Sequence, residues 1–159
     1  MIKVLMVCTG NICRSPMAEY ALKKMVVDAG LQDQIFVDSA GISDEEVGNT
    51  IHRGTVGILS KYSILHNAKR PARQIRHSDL SDFDYLLAMD RGHLNTLQRM
   101  LGMDSEKVSL FLKDAFVQKQ VSREDVPDPW YDGQFERTYD LVIKGCAAFL
   151  ERLRTENNL

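Results

Sequence analysis

Val4-Leu5-Met6-Val7-Cys8-Thr9-Gly10-Asn11-Ile12-Cys13-Arg14-Ser15-Pro16 joins an apolar run to a helical pattern through one short loop. The run Val4 to Val7 is unbroken and ends at Cys8, which reads as a buried strand. Ser15 followed by Pro16 predicts a helix with Ser15 as its N-cap and Pro16 at its first position. The loop therefore lies at a strand-to-helix turn, where open α/β sheets bind ligands. Five residues separate Cys8 from Arg14. A thiolate and a guanidinium at that spacing can hold one tetrahedral dianion between them.

The residue types suit that task. Backbone N–H groups from Thr9 to Ser15, including those of Gly10, Asn11, Ile12 and Cys13, can turn inward as an anion nest. The helix opening near Ser15 adds the positive end of its dipole. With Arg14 nearby, these features predict a Cys8 thiolate and a pKa below the free value of about 8.5. Arg14 can grip two phosphate oxygens through its planar fork, which a lysine cannot do. Gly10 gives the loop backbone freedom, and Asn11 can tie the loop through its amide. The Ser15 hydroxyl can donate to Cys8 as well as cap the helix. Cys13 carries two readings: a small loop residue, or the partner of Cys8 in a reversible disulfide that protects the nucleophile. Cys146 lies in an apolar helical run and reads as core.

Val126-Pro127-Asp128-Pro129-Trp130-Tyr131 is the second constellation. The two prolines stiffen the segment and set the direction of Asp128. A positioned carboxylic acid there can protonate a leaving oxygen and later, as a carboxylate, activate water. Trp130 and Tyr131 are expected at the mouth of the cleft, packed on an aryl group. Asp125, Asp132 and Asp140 read as solvated loop or helix-terminus charges.

Together these stretches resemble the low-molecular-weight protein tyrosine phosphatase family. The resemblance covers essentially the whole chain. It begins at Val7-Cys8-Thr9-Gly10-Asn11-Ile12-Cys13-Arg14-Ser15-Pro16 and continues through Met17-Ala18-Glu19, Asp38-Ser39-Ala40-Gly41, Asp84-Tyr85, Met89-Asp90, Asp128-Pro129 and Tyr139-Asp140. It implies that Cys8 is the nucleophile, Arg14 the phosphate clamp and Asp128 the general acid and base. Asn11, Ser15 and Ser39 are then supports of the loop. The implied reaction is hydrolysis of phosphotyrosine and aryl phosphates through a cysteinyl-phosphate, with no metal or cofactor. The implied partner is a tyrosine-phosphorylated protein, and inorganic phosphate is the product.

The chain departs from the family pattern in three places. Many relatives carry an aromatic residue after the Ser-Ala-Gly turn, whereas this chain reads Ile42-Ser43-Asp44-Glu45-Glu46-Val47-Gly48-Asn49. If that segment borders the cleft, its acids disfavour acidic phosphopeptides. Arg70 stands where the family's histidine is expected, and Thr9 where leucine is usual. Lys69, Arg70, Arg73, Arg76 and His77 read as a solvated basic stretch. Two other functions share the loop: an arsenate reductase on the same fold, and a non-catalytic phosphate-binding or redox-sensing module. The first calls for further relay cysteines, and residues 75 to 100 contain none. Asp128-Pro129 argues against the second.

The chain's 159 residues suit a single domain spanning 1–159, large enough to bury a core. A net charge of −2 gives no basis for binding nucleic acid or an anionic membrane. No signal-peptide layout or membrane-length apolar run is read, so membrane insertion is not expected, and export without a signal peptide stays open. His52, His66, His77 and His93 show no metal-ligand spacing with the cysteines. Three cysteines, two of them in one loop, suggest a cytoplasmic protein and not a disulfide framework. A monomer or weak dimer is expected.

Periodicity predicts strands at residues 2–8, 35–38, 85–89 and 108–112. It predicts helices at 16–29, ending before Gly30, and at 52–62, 91–101 and 134–154. Leu97, Met100 and Met103 share helical spacing and read as core. This alternation implies an α/β fold: a four-stranded parallel sheet with helices on both faces and a phosphate-binding loop after the first strand.

Overall fold

The computed structural model describes residues 1–102 and 105–159. The elements run β1 (Ile2–Cys8), α1 (Arg14–Asp28), β2 (Ile35–Gly41), α2 (Arg53–Lys61), α3 (His77–Asp82), β3 (Tyr85–Ala88), α4 (Arg91–Leu101), β4 (Val108–Leu110), α5 (Lys113–Val117), α6 (Pro129–Asp132) and α7 (Phe135–Asn157). The four strands form one parallel sheet in the order β2-β1-β3-β4. β1 is central because it is apolar on both sides, as a strand covered on both faces must be. Val4, Met6 and Cys8 face a core built from α1, α2 and α7. Leu5 and Val7 face a second core that holds Leu80 of α3 and Leu97 of α4.

The strand order positions the site. The chain leaves β1 for β2 on one side, then crosses back to β3 on the other. The loops after β1 and β3 therefore diverge, and a crevice opens beyond their carboxyl ends. Cys8 ends β1 and Asp90 follows β3, so both stand at the carboxyl ends of neighbouring strands.

The predicted strands and long helices are present, with shifted ends. β2 continues from Asp38 to Gly41 although Asp, Ser and Gly are poor strand formers. It does so because β1 offers a partner along its whole length, from Ile2 opposite Ile35 to Cys8 opposite Gly41. Gly41 also lies so close to the loop that a Cβ there would fall 2.7 Å from the carbonyl oxygen of Thr9. α1 begins at Arg14 and is capped by Cys13, so Ser15 is not its N-cap. Pro16 still lies in the first turn, where its missing N–H has no intrahelical acceptor to lose. α3, α5 and α6 were not expected, since pieces of four to six residues are too short to show a period. Leu97 is fully buried and Met100 packs against the same core. Met103 lies outside the described residues. Cys146 is fully buried in α7, and burial pushes its thiol well above the usual range. Among the described residues no helix is long and apolar enough to cross a membrane.

Candidate active site

The loop from Thr9 to Cys13 wraps around the end of β1, and its conformation is held from behind. Asn11 has a positive φ of 61°, a conformation that Asn accepts more readily than most residues. Its side chain is almost fully buried and acts as the hub. Nδ2 donates to Ser15 Oγ and to Ser39 Oγ, each at 2.9 Å, and Oδ1 accepts from the Arg73 amide at 3.0 Å. Ser39 in turn donates to Glu19 Oε1 at 2.6 Å. Because Ser15 Oγ already accepts from Asn11, its own proton is free to point at Cys8 Sγ, 3.0 Å away. The Asn11 amide also donates to that sulfur at 3.3 Å. Two donors thus converge on Cys8, an arrangement that stabilises negative charge there. The amides of Gly10, Ile12, Cys13 and Arg14 make no hydrogen bond within the described protein. Backbone donors of that kind are normally paired, and here they are left for an anion.

Arg14 lies in the first turn of α1 with its side chain 4 % exposed. Nη1 donates to Asp90 Oδ2 at 2.9 Å and to the Val126 carbonyl at 3.0 Å. Nη2 donates to Asp128 Oδ2 at 3.3 Å. A buried guanidinium without these partners would be costly; with them its plane is fixed before any ligand arrives. Asp90 is held in its charged form. Its burial opposes ionisation, but the His93 ring once it is protonated, the His93 backbone amide and the Arg14 guanidinium outweigh that and pull its pKa below the usual carboxylate value.

Asp128 reaches the cleft as the N-cap of α6. Its Oδ1 accepts from the Trp130 amide at 3.1 Å, and Pro129 occupies the first turn. The stiff loop read from the prolines is thus one helical turn, and the cap sets the carboxylate's direction. The other three acids stand apart as expected. Asp125 accepts from the Arg91 amide, Asp132 pairs with Arg137, and Asp140 pairs with Lys144.

One cleft is lined by the loop residues Cys8, Thr9, Gly10, Ile12, Cys13 and Arg14, of which Cys8, Ile12, Cys13 and Arg14 are buried. Asp128, the exposed Trp130 and Tyr131, and Ser43, Glu45 and Glu46 complete its lining. The acidic segment after Gly41 therefore does border the site. It is tied there by the Ile42 and Ser43 amides, which donate to the carbonyls of Cys8 and Thr9. The side chains of Asn11, Ser15 and Ser39 sit behind the loop, buried, and not among the cleft's lining residues. The two loop cysteines differ. Burial, and secondarily the negative charges of Cys8 and Asp128, push the Cys13 thiol up to about 12. Cys13 is a neutral thiol across the physiological range.

Several contributors were not read from the sequence. Trp130 is about half exposed and meets the edge of His52 at 5.5 Å, and His52 stacks on Phe135 at 5.1 Å. Gly54 makes room for that ring, since a Cβ there would lie 2.4 Å from Phe135. Asp90, His93 and Glu19 were likewise missed as site residues. The signals for Asp90 were its place just after an apolar strand and its presence in the Met89-Asp90 stretch of the family resemblance.

The basic stretch is not uniformly solvated. Lys69, Arg76 and His77 are exposed, but Arg70 and Arg73 turn inward. Arg70 Nη2 lies 3.1 Å from Glu19 Oε1, 3.0 Å from Asp38 Oδ1 and 3.0 Å from the Ser39 carbonyl. Arg73 bridges Asp38 and Asp79. Arg70 therefore braces the loop through Glu19 and Ser39. Arg70→Ala is expected to lower stability by about 2 kcal/mol, because it strips a cation from a buried carboxylate that keeps only Lys23. Urea denaturation measures this, and an unchanged midpoint would assign Glu19's neutralisation to Lys23 alone.

The chain is similar to known proteins along nearly its whole length. The family model described as "Low molecular weight phosphotyrosine protein phosphatase" matches residues 3–159. The low molecular weight protein-tyrosine-phosphatase YfkJ of Bacillus subtilis is 40 % identical over 159 residues, covering 100 % of both chains. Its crystal structure superposes with a TM-score of 0.92 over 98 % of this chain and 96 % of that one. The low molecular weight phosphotyrosine protein phosphatase of Sus scrofa is 39 % identical over 95 % of each chain. The crystal structure of the low molecular weight protein tyrosine phosphatase SP-PTP from Streptococcus pyogenes is 42 % identical, with a TM-score of 0.83 over 96 % of this chain and 93 % of that one. With the cysteine, arginine and aspartate meeting in one cleft of the same fold, the chain belongs to the low molecular weight phosphotyrosine protein phosphatase family.

Proposed function

We propose that this chain hydrolyses phosphotyrosine in protein substrates, and aryl phosphate monoesters generally, by double displacement at Cys8. The observation that carries the reading is the meeting of Cys8, Arg14 and Asp128 in one cleft, with Trp130 and Tyr131 at its mouth. The phosphoryl group binds over the loop amides, with two oxygens on the Arg14 fork. Cys8 Sγ attacks phosphorus in line, the P–O bond to the ring breaks, and protonated Asp128 gives its proton to the leaving phenolate. Asp128, now a carboxylate, takes a proton from water. That water attacks phosphorus, the P–S bond breaks, and inorganic phosphate leaves with Cys8 restored. The buried Cys8 and the exposed aromatic rings of Trp130 and Tyr131 line the same cleft, which supports an aryl ester such as phosphotyrosine over phosphoserine. No step requires a cofactor.

Cys13 complements this chemistry as a neutral thiol in the same loop. When peroxide oxidises Cys8 to a sulfenic acid, Cys13 condenses with it to a disulfide and releases water. The three free cysteines suit a reducing cytoplasm, and the chain acts as a monomer or weak dimer. Arsenate reduction is less well supported, because Cys146 is sealed in the core and Cys13 alone remains beside Cys8.

Hydrolysis of p-nitrophenyl phosphate in EDTA tests the reading. Cys8→Ser is expected to abolish turnover, and Asp128→Ala to lower it by about 10²-fold. The Asp128→Ala loss should grow with phenyl phosphate, whose leaving group is more basic and needs the proton more. Full activity in Cys8→Ser would overturn the mechanism.

A further inference from the structure

Thr9 and His93 form a polar pair against the guanidinium of Arg14. Thr9 Oγ1 lies 2.8 Å from His93 Nε2 and 3.5 Å from Arg14 Nη2. His93 is in the first turn of α4 and 6 % exposed. Its backbone amide donates to Asp90 Oδ1 at 3.0 Å, and its ring Nδ1 lies 3.2 Å from the same oxygen. That contact is too poorly aligned to count as a hydrogen bond, and Nδ1 has no other partner among the described residues. It still decides the tautomer. A lone pair on Nδ1 would face a carboxylate oxygen, whereas a proton there faces it favourably. Burial lowers the His93 pKa to about 4 against the pull of Asp90, so the ring is neutral near pH 7.

A neutral ring with its proton on Nδ1 carries a lone pair on Nε2. Thr9 must then donate its hydroxyl proton to Nε2, which leaves Oγ1 lone pairs toward Arg14 Nη2. We propose that Thr9 and His93 are positioning residues for Arg14: a neutral relay from Asp90 through His93 and Thr9 closes a ring on the guanidinium and fixes the plane of its fork. Asp90 and the Val126 carbonyl hold Nη1, and the relay keeps Nη2 from swinging. Its importance rises during the reaction. Asp128, the other partner of Nη2, must carry a proton when substrate is bound and then attracts Arg14 less. The inference rests on the reading of Arg14 as the phosphate clamp.

Inorganic phosphate inhibition and p-nitrophenyl phosphate kinetics test it. Thr9→Val, which keeps the side-chain shape, is expected to raise the phosphate Ki and lower kcat/KM by about tenfold, because a tilted fork binds the dianion poorly. Thr9→Ser should restore both. Thr9→Val/His93→Leu should be no worse than the poorer single variant, since both break the same relay. Nitrogen-15 NMR of the wild-type imidazole should show the Nδ1–H tautomer. An unchanged phosphate Ki in Thr9→Val, multiplying effects in the double variant, or an Nε2–H tautomer would each overturn the relay. Wild-type protein inert toward p-nitrophenyl phosphate would overturn the phosphatase reading itself. Normal wild-type activity with an unaltered Thr9→Val variant removes only the relay.

Discussion

Arg14→Lys is expected to lower turnover of p-nitrophenyl phosphate by on the order of 10³-fold, comparable to removing an arginine from other phosphoryl-transfer sites. The charge is conserved, so the loss isolates geometry. Arg14 donates from two nitrogens to Asp90, Val126 and Asp128, and so spans the gap between the segments after β3 and before α6. A lysine ammonium is one point with three donors, and it cannot satisfy Asp90 and present a flat pair of N–H groups to phosphate at once. Ground-state binding and catalysis should fall together, because the fork contacts the phosphoryl oxygens in both states and more strongly as charge builds. Steady-state kinetics of the purified variant, with circular dichroism to confirm folding, reads this out. A loss below tenfold would mean that the loop amides, and not the fork, carry transition-state charge.

Asn11→Ala is the second variant with a large expected effect, on stability as well as rate. The substitution removes the bonds to Ser15, Ser39 and the Arg73 amide, each worth about 1 kcal/mol. It also places alanine at φ 61°, which costs about 1 kcal/mol more. The sum of about 4 kcal/mol leaves the fold intact if the protein sits within the usual 5–15 kcal/mol range. Activity should fall by about 10²-fold, because Ser15 loses the donor that directs its proton to Cys8 and the loop amides lose their common aim. Urea denaturation and kcat measured on one preparation separate the two effects. Reduced stability with full activity would show that the loop's shape is set by Gly41 and its backbone neighbours and not by Asn11.

Arg70 bonds the Ser39 carbonyl and neutralises Glu19, and both groups belong to the network that ends at Cys8. Arg70 is therefore wired to the loop through two acceptors at its back. Glu45 and Glu46 line the same cleft as Trp130 and Tyr131, so acidic and aromatic side chains share its lining with Arg14.

By itself, the sequence determined the strand-loop-helix unit around Cys8 and the pairing of Cys8 with Arg14. These are local: an apolar run, a polar turn and a helix start written within a few residues, where propensity and capping rules apply. It also determined the sheet's class, since four strands alternating with helices allow few arrangements. The end of β2 escaped it, because Ser39 to Gly41 are extended only by pairing with β1. So did α3, α5 and α6, which are too short to carry a period. What holds the site together was decided only by tertiary structure. Asp90 and Asp128 lie 76 and 114 positions from the arginine they fix, and Arg73 lies 62 from Asn11. Contacts at that separation leave no spacing pattern in the chain. They exist because β3 lies beside β1 in the sheet, so the crevice opened by the reversal of strand order has the ends of both strands at its base, and because buried charges settle where the fold leaves them a partner.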